Sequence, residues 1–228
     1  MEQIQNNRVI TDLYRENAQF PGIALDGSDV YLCWQRFVDR HDSLMASCRR
    51  GDEVVWEREI SDGGEVLHPV ILAHGGAIWY AWSEYARENW RILARCYRDG
   101  QWGEVLTVAS GEALFFPRLF TWQGKLHVIW TEQHKGSAAA VLCPLTEAGP
   151  GAAETVSVVG EAYRAGAAEG GDGNLYVAYD GFDGKQYKLF ARARTAAGWS
   201  EEIVVSQGED WASTPWIAAK PDGAVVGW

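Results

Sequence analysis

The sequence predicts an all-β fold, a β-propeller of four-stranded antiparallel blades with a repeat of about 48 residues, and three observations predict it. First, Pro21, Pro69, Pro117, Gly166 and Pro215 mark five segments spaced 48, 48, 49 and 49 residues apart. Second, an aromatic stands thirteen residues after each marker: Trp34, Trp82, Trp130, Tyr179 and Trp228. Third, a two-residue turn recurs between apolar runs, at Asp26-Gly27, Gly75-Gly76, Gln123-Gly124, Asp172-Gly173 and Asp222-Gly223. Such pairs tolerate the positive φ that tight hairpins need.

Within one repeat the elements follow in order. After the marker comes a short apolar stretch (GIALD, VILAH, RLFTW, AAEGG, WIAAK), then the turn, then a near-continuous apolar run (VYLCW, IWYAW, LHVIW, LYVAY, VVGW). A run of that kind predicts a strand buried on both faces. A polar loop leads to a third run (SLMASCRR, RILARCYR, SAAAVLCP, KLFARART), in which Ala46 and Cys48, Ala94 and Cys96, and Ala191 and Ala193 recur two apart. That spacing places small residues on one strand face, where a neighbouring sheet can approach. The fourth run is VVWEREIS, GEVLTVAS, ETVSVVG or EEIVVS.

The expected organisation is a single domain, residues 1–228. Blades of 21–68, 69–116, 117–165 and 166–214 are complete, and 215–228 starts a fifth. Residues 1–20 are expected to supply an outer strand, VIT at 9–11, that closes the incomplete fifth blade; an uncovered edge there would drive oligomerisation. The alternative is a truncated piece of a larger propeller.

Bulk properties narrow the function. A formal net charge of −11 argues against a nucleic-acid partner, which needs a basic face. No apolar run reaches the length of a membrane helix, and MEQIQNNRVI has no signal-peptide pattern, so the expectation is a soluble cytoplasmic protein. Cys33, Cys48, Cys96 and Cys143 read as small buried residues, since equivalent positions of successive blades are too far apart to bridge. No tight His/Cys spacing occurs, so no metal and no cofactor is expected.

Two sets of residues converge on one mouth of the channel, because alternate connections of a meander open on the same face. The first is a recurrent glutamate between the fourth strand and the next first strand: Glu16, Glu65, Glu112, Glu161 and Glu209. A ring of carboxylates would hold a cation or form an acid/base pair; a repeated solvated turn is the simpler reading. The second is the polar loop after each signature aromatic, with Arg36, Phe37, Glu84, Tyr85, Trp90, Glu132, His134, Asp180, Phe182 and Tyr187 as candidate binding residues. Rings stack on apolar sugar faces and charged groups bind hydroxyls, which is the composition of a sugar site.

The segments DGNLYVAYDGFDGKQYKLFARARTAAGWSEEIVVS and GGAIWYAWSEYARENWRILARCYRDGQWGEVLTVAS resemble bacterial propellers of the sialidase-like, BNR-repeat type. The Asp-box pattern of that group is degenerate in YRDGQW and RTAAGW, and its Arg-Ile-Pro motif is absent, so no catalytic residue carries over. The expectation is therefore a non-catalytic module binding a carbohydrate or a protein at its top-face loops. Two alternatives stay open: a glycoside hydrolase or lyase of sialidase-like type, and a purely structural propeller fragment. Near-equal loop lengths favour binding, since an enzyme needs distinct acid and base roles.

Overall fold

A computed structural model describes residues 17–61, 63–208 and 211–228. The fold is a β-propeller, with no helix among the described residues. Blade 1 comprises Asn17–Asp26, Asp29–Val38, His41–Arg50 and Glu53–Glu59 in that order across the sheet. Blade 2 begins with Glu65–His74, Ala77–Ala86 and Asn89–Arg98, and blade 3 with Ala113–Trp122, Lys125–His134 and Ser137–Thr146. Blade 4 begins with Ala162–Glu169, Leu175–Phe182 and Tyr187–Thr195. In these three the outer strand is broken into two short pieces, such as Gln101–Trp102 and Leu106–Gly111, that both pair the third strand. The fifth sheet has two described strands, Trp216–Lys220 and Gly223–Gly227. The expected closing strand at 9–11 lies outside the described residues.

Pro21, Pro69 and Pro117 do not open the inner strands; they sit inside them, whereas Pro215 stands just ahead of Trp216–Lys220. The inner strands of blades 1 to 4 start about four residues before their markers and carry a register shift at Gln19/Gly22, Leu67/Val70, Phe115/Arg118 or Tyr163/Gly166. Proline has no N–H to give the ladder, and a bulge is where a missing donor does least harm. In blade 4 the proline's place at the bulge is taken by Ala165, one residue before Gly166. The marker slips because Gly170–Asn174 makes a five-residue hairpin turn where the other blades have two.

At each bulge one residue adopts positive φ: Phe20 at 50°, His68 at 53°, Phe116 at 55° and Arg164 at 38°, with Thr214 at 58° ahead of the fifth inner strand. Left-handed backbone is unfavourable by about 1–3 kcal/mol at a non-glycine residue and persists only where surroundings enforce it. Neighbouring blades do so here. The Thr131 hydroxyl on the second strand of blade 3 accepts the Arg164 backbone N–H of blade 4 at 3.2 Å. The Asp180 carboxylate, one strand position after Tyr179, likewise accepts a backbone N–H from Thr214.

Burial lies between blades. Trp34, Trp82, Trp130 and Tyr179 are all at most 5% exposed, whereas Trp228, just after the last strand, is exposed. Trp82 packs among Tyr80 and Leu93 of its own blade and Leu44 and Ile60 of blade 1, over Ala46 and Cys48. Trp130 meets Ile92 and Trp90 of blade 2. The small third-strand residues thus make room for the next blade's indole, and all four cysteines are buried and free. Trp82→Ala removes the largest fully buried side chain and is expected to cost about 3–5 kcal/mol, read as a fall in urea midpoint.

Candidate functional site at the channel mouth

The bulges direct side chains toward the axis. Phe20, His68, Phe116, Arg118, Arg164 and Trp216, from all five blades, line a cavity of about 400 Å³. Rings dominate it: His68 lies 5.0 Å from Phe20 and 4.3 Å from Phe116, centroid to centroid. Arg118 stacks over the Trp216 indole at 5.0 Å and Arg164 over Phe116 at 6.0 Å. Burial first, and Arg118 second, push the His68 imidazole down to about 4, and burial also lowers Arg118.

An aromatic path joins this cavity to the top-face loops. Tyr85 lies 5.3 Å from Trp90, Trp90 4.6 Å from Phe115, and Phe115 6.1 Å from Phe116. On blade 4, Tyr187 is 5.6 Å from both Phe182 and Trp211 and 6.2 Å from Tyr163. Of the residues expected in binding, Tyr85 and Trp90 therefore join one cluster, and Phe182 and Tyr187 another. Phe37 is exposed on blade 1.

The charged residues have different fates. Glu84 is fully buried in a short ion pair with Arg91 directly across the strands, and its Oε2 accepts the Trp82 indole N–H at 3.2 Å. Its side chain fills the space above Gly64, where a Cβ would come within 2.4 Å of the Glu84 Cγ. Asp180, also fully buried, accepts a fork from Arg164, with Nε donating at 3.1 Å. Burial raises the Asp180 carboxyl and Arg164 opposes that rise. Arg36 pairs with Glu59 at 3.1 Å inside blade 1.

Glu132 occupies the Glu84 position of blade 3, but its cross-strand neighbour is Ala139. It is half-buried, and its side chain makes no hydrogen bond or ion pair with the described residues. With His134 and Ser137 it lines a depression of about 370 Å³. His134 Nδ1 stands 3.0 Å from Glu112.

Of the expected carboxylate ring, Glu65 and Glu112 are exposed and serve local turns: Glu65 accepts the Asp42 backbone N–H at 3.3 Å and Glu112 that of Lys135 at 3.4 Å. The Glu161 carbonyl accepts the Phe182 N–H at 3.0 Å. Glu16 and Glu209 lie outside the described residues. Among the described residues no three His, Cys, Asp or Glu side chains are grouped to hold a metal ion.

No protein-family model matches the sequence, and no curated protein matches it. Solved structures do. The alpha-L-arabinofuranosidase from Lactobacillus brevis is 11% identical with a TM-score of 0.59, over 92% of this chain and 82% of that one. The endo-arabinase from Bacteroides thetaiotaomicron is 11% identical with a TM-score of 0.58, over 91% and 92%. The xylan beta-1,4-xylosidase from Bacillus halodurans is 13% identical with a TM-score of 0.55, over 90% of this chain and 47% of that one. This chain thus spans about half the xylosidase's length. At such identities the likeness shows the fold.

Two expectations change. The resemblance holds at the level of propeller architecture, and the matching propellers are mostly glycoside hydrolases rather than specifically sialidase-type ones. The expectation of a non-catalytic module is overturned, because the propellers that match over nine-tenths of the chain are mostly glycoside hydrolases. Its premise fails on physical grounds too. Equal loop lengths conceal unequal side chains: the same strand position is a neutralised Glu84 in blade 2 and an unpaired Glu132 in blade 3.

The axial lining, Phe20, His68, Phe116, Arg118, Arg164 and Trp216, was missed by sequence reasoning. Its signal was a bulky residue standing immediately before Pro21, Pro69 and Pro117.

Arg91→Ala is expected to destabilise by roughly 3–5 kcal/mol, since it strands a buried carboxylate; guanidinium denaturation measures it. His68 binds its proton less readily folded than unfolded, where its value is near 6.5. The unfolded chain therefore takes up more protons between pH 6.5 and about 4, and stability falls as pH drops through that window. His68→Phe keeps a ring and is expected to flatten this slope in urea midpoints measured from pH 4 to 7.

Proposed function

We propose that the protein cleaves glycosidic bonds at the top-face mouth of the channel, with Glu132 in the acid/base role. The observation that carries this is the uncommitted, half-buried Glu132 on blade 3, beside His134 and its partner Glu112. Glycoside hydrolysis requires a carboxyl group able to give a proton to the leaving oxygen or take one from water, and commonly a second carboxylate near it. Glu84 and Asp180 are unsuited to that task, each being locked against an arginine. Glu132 is free to exchange a proton, and Glu112, just ahead of the same blade's inner strand, supplies a second carboxylate whose contact with His134 links it to the same depression.

Support also comes from position. Glu132 pairs in register with Leu114, one residue before Phe115, through which the aromatic path toward the axial cavity runs. Rings such as Trp90 and Phe115 offer flat faces on which a sugar can stack. The similarity to arabinan- and xylan-acting propellers supports the same reaction class and suggests those polysaccharides as first substrates.

Turnover is to be measured on arabinan, xylan, fructan and nitrophenyl pentosides and hexosides. The wild-type chain is expected to release sugar from at least one, and Glu132→Gln to lower that rate about 100-fold or more with thermal unfolding unchanged. No release from any substrate, or an undiminished E132Q, would sink the proposal.

A further inference from the structure

Among the described residues, one cation on the axis has no counter-charge. Arg118 follows Pro117 at the blade 3 bulge, and its guanidinium lies over Trp216 in the wall of the axial cavity. It makes no hydrogen bond or ion pair with the described residues. Arg164 reaches the same cavity from blade 4 with Nε and one terminal nitrogen committed to Asp180, which leaves its other terminal nitrogen without a described partner. The Arg164–Asp180 pair is neutral as a unit, and His68 is uncharged near neutral pH, so among the described lining residues Arg118 sets the sign of the cavity. No carboxylate is among the described residues lining it. This occurs in a chain of formal net charge −11, so the cation is not a sample of a general surplus.

A half-buried guanidinium remains protonated, and withdrawing it from water without a partner is unfavourable. A cavity that keeps such a group against stacked rings is built for a ligand that brings the missing charge. We infer that the axial cavity is an anion subsite in which Arg118, assisted by Arg164, binds a single oxyanion group, either the carboxylate of an acidic sugar or a phosphate, while Phe116 and Trp216 flank the group that carries it. Charge-assisted hydrogen bonds from a guanidinium fork suit either oxyanion. The volume, about 400 Å³, is at the small end for ligand sites and fits one sugar-sized group rather than a chain. The sugar part of this inference rests on the glycosidase reading above; the anion part stands on Arg118.

The test is calorimetric titration of the wild-type protein at low ionic strength with glucuronate, inorganic phosphate and glucose, repeated on Arg118→Gln and Arg118→Lys, with thermal unfolding of each. At least one anion is expected to bind, glucose at least tenfold more weakly or not at all, and R118Q to weaken the anion at least tenfold while R118K weakens it less. Preference for glucuronate identifies an acidic sugar, and preference for phosphate a free phosphate. The inference is overturned if neither anion binds at millimolar concentration, or if folded R118Q binds it as the wild type does. Should R118Q not fold, the wild-type comparison decides: equal affinity for glucuronate and glucose, with no phosphate bound, overturns it. Anion binding without turnover of any glycan removes the glycosidase reading and leaves this subsite standing. Turnover of neutral glycans together with no anion bound at millimolar concentration does the reverse.

Discussion

The constraint on which the structure depends is the bulge in the inner strands of blades 1 to 4. A regular strand sends alternate side chains to its two faces, and in a propeller both faces belong to neighbouring blades. A side chain reaches the axis only if the backbone departs from that alternation. Here it does so at one position per blade, through a residue of positive φ followed, in four of the five cases, by proline. The strain is held from outside the strand, by Thr131 on the Arg164 amide and Asp180 on the Thr214 amide. Each of these blades thus fixes the axial residue of the next, and the cavity is a property of the ring rather than of any one sheet.

The same second-strand segment also carries the polar chemistry. Two positions past the signature aromatic stand Arg36, Glu84, Glu132 and Gly181, four residues in one backbone frame. Their cross-strand partners decide what each does. Arg91 turns Glu84 into a structural group that also accepts the Trp82 indole, whereas Ala139 leaves Glu132 uncommitted. Glycine at 181 leaves room where the Val159 side chain and the Glu161 carbonyl close in, at 3.0 and 2.9 Å from a notional Cβ. A buried carboxylate must be paired, so the arginine of blade 2 is a condition of folding; a half-buried one at the rim need not be.

Much of this fold was legible in the sequence because hairpin chemistry and apolar burial are local. The turns at Gly75-Gly76 and Gln123-Gly124, the buried Trp82 and Trp130 and the small residues facing them all follow from spacing alone, whereas the turn expected at Asp26-Gly27 falls one residue later, at Gly27-Ser28. The Glu84–Arg91 pair was also readable in principle, since the two residues flank the Arg87-Glu88 turn at matching distances. The axial lining was not. A residue before proline is ordinarily extended, so nothing in Phe20-Pro21 or His68-Pro69 announces a left-handed backbone. Nor could spacing join Arg164 to Asp180, because the five-residue turn at Gly170–Asn174 shifted the fourth repeat by one and hid Ala165 in the proline's place.

Loop length is a poor guide to chemistry in a radial repeat. Loops shape the rim, but groups able to transfer a proton or hold a charge sit at strand ends, where one substitution changes a cross-strand pair without altering any length. Blade 3 departs from blade 2 in this manner: Ala139 for Arg91 frees a carboxylate, and His134 for Ala86 brings an imidazole to Glu112. Arg118 takes the place held by Val70 in blade 2 and adds a cation at the axis. Three exchanges in one blade therefore bring an uncommitted carboxylate, an imidazole and a guanidinium onto a frame whose backbone symmetry is intact. A repeat can acquire a site in this way without giving up the burial that closes it.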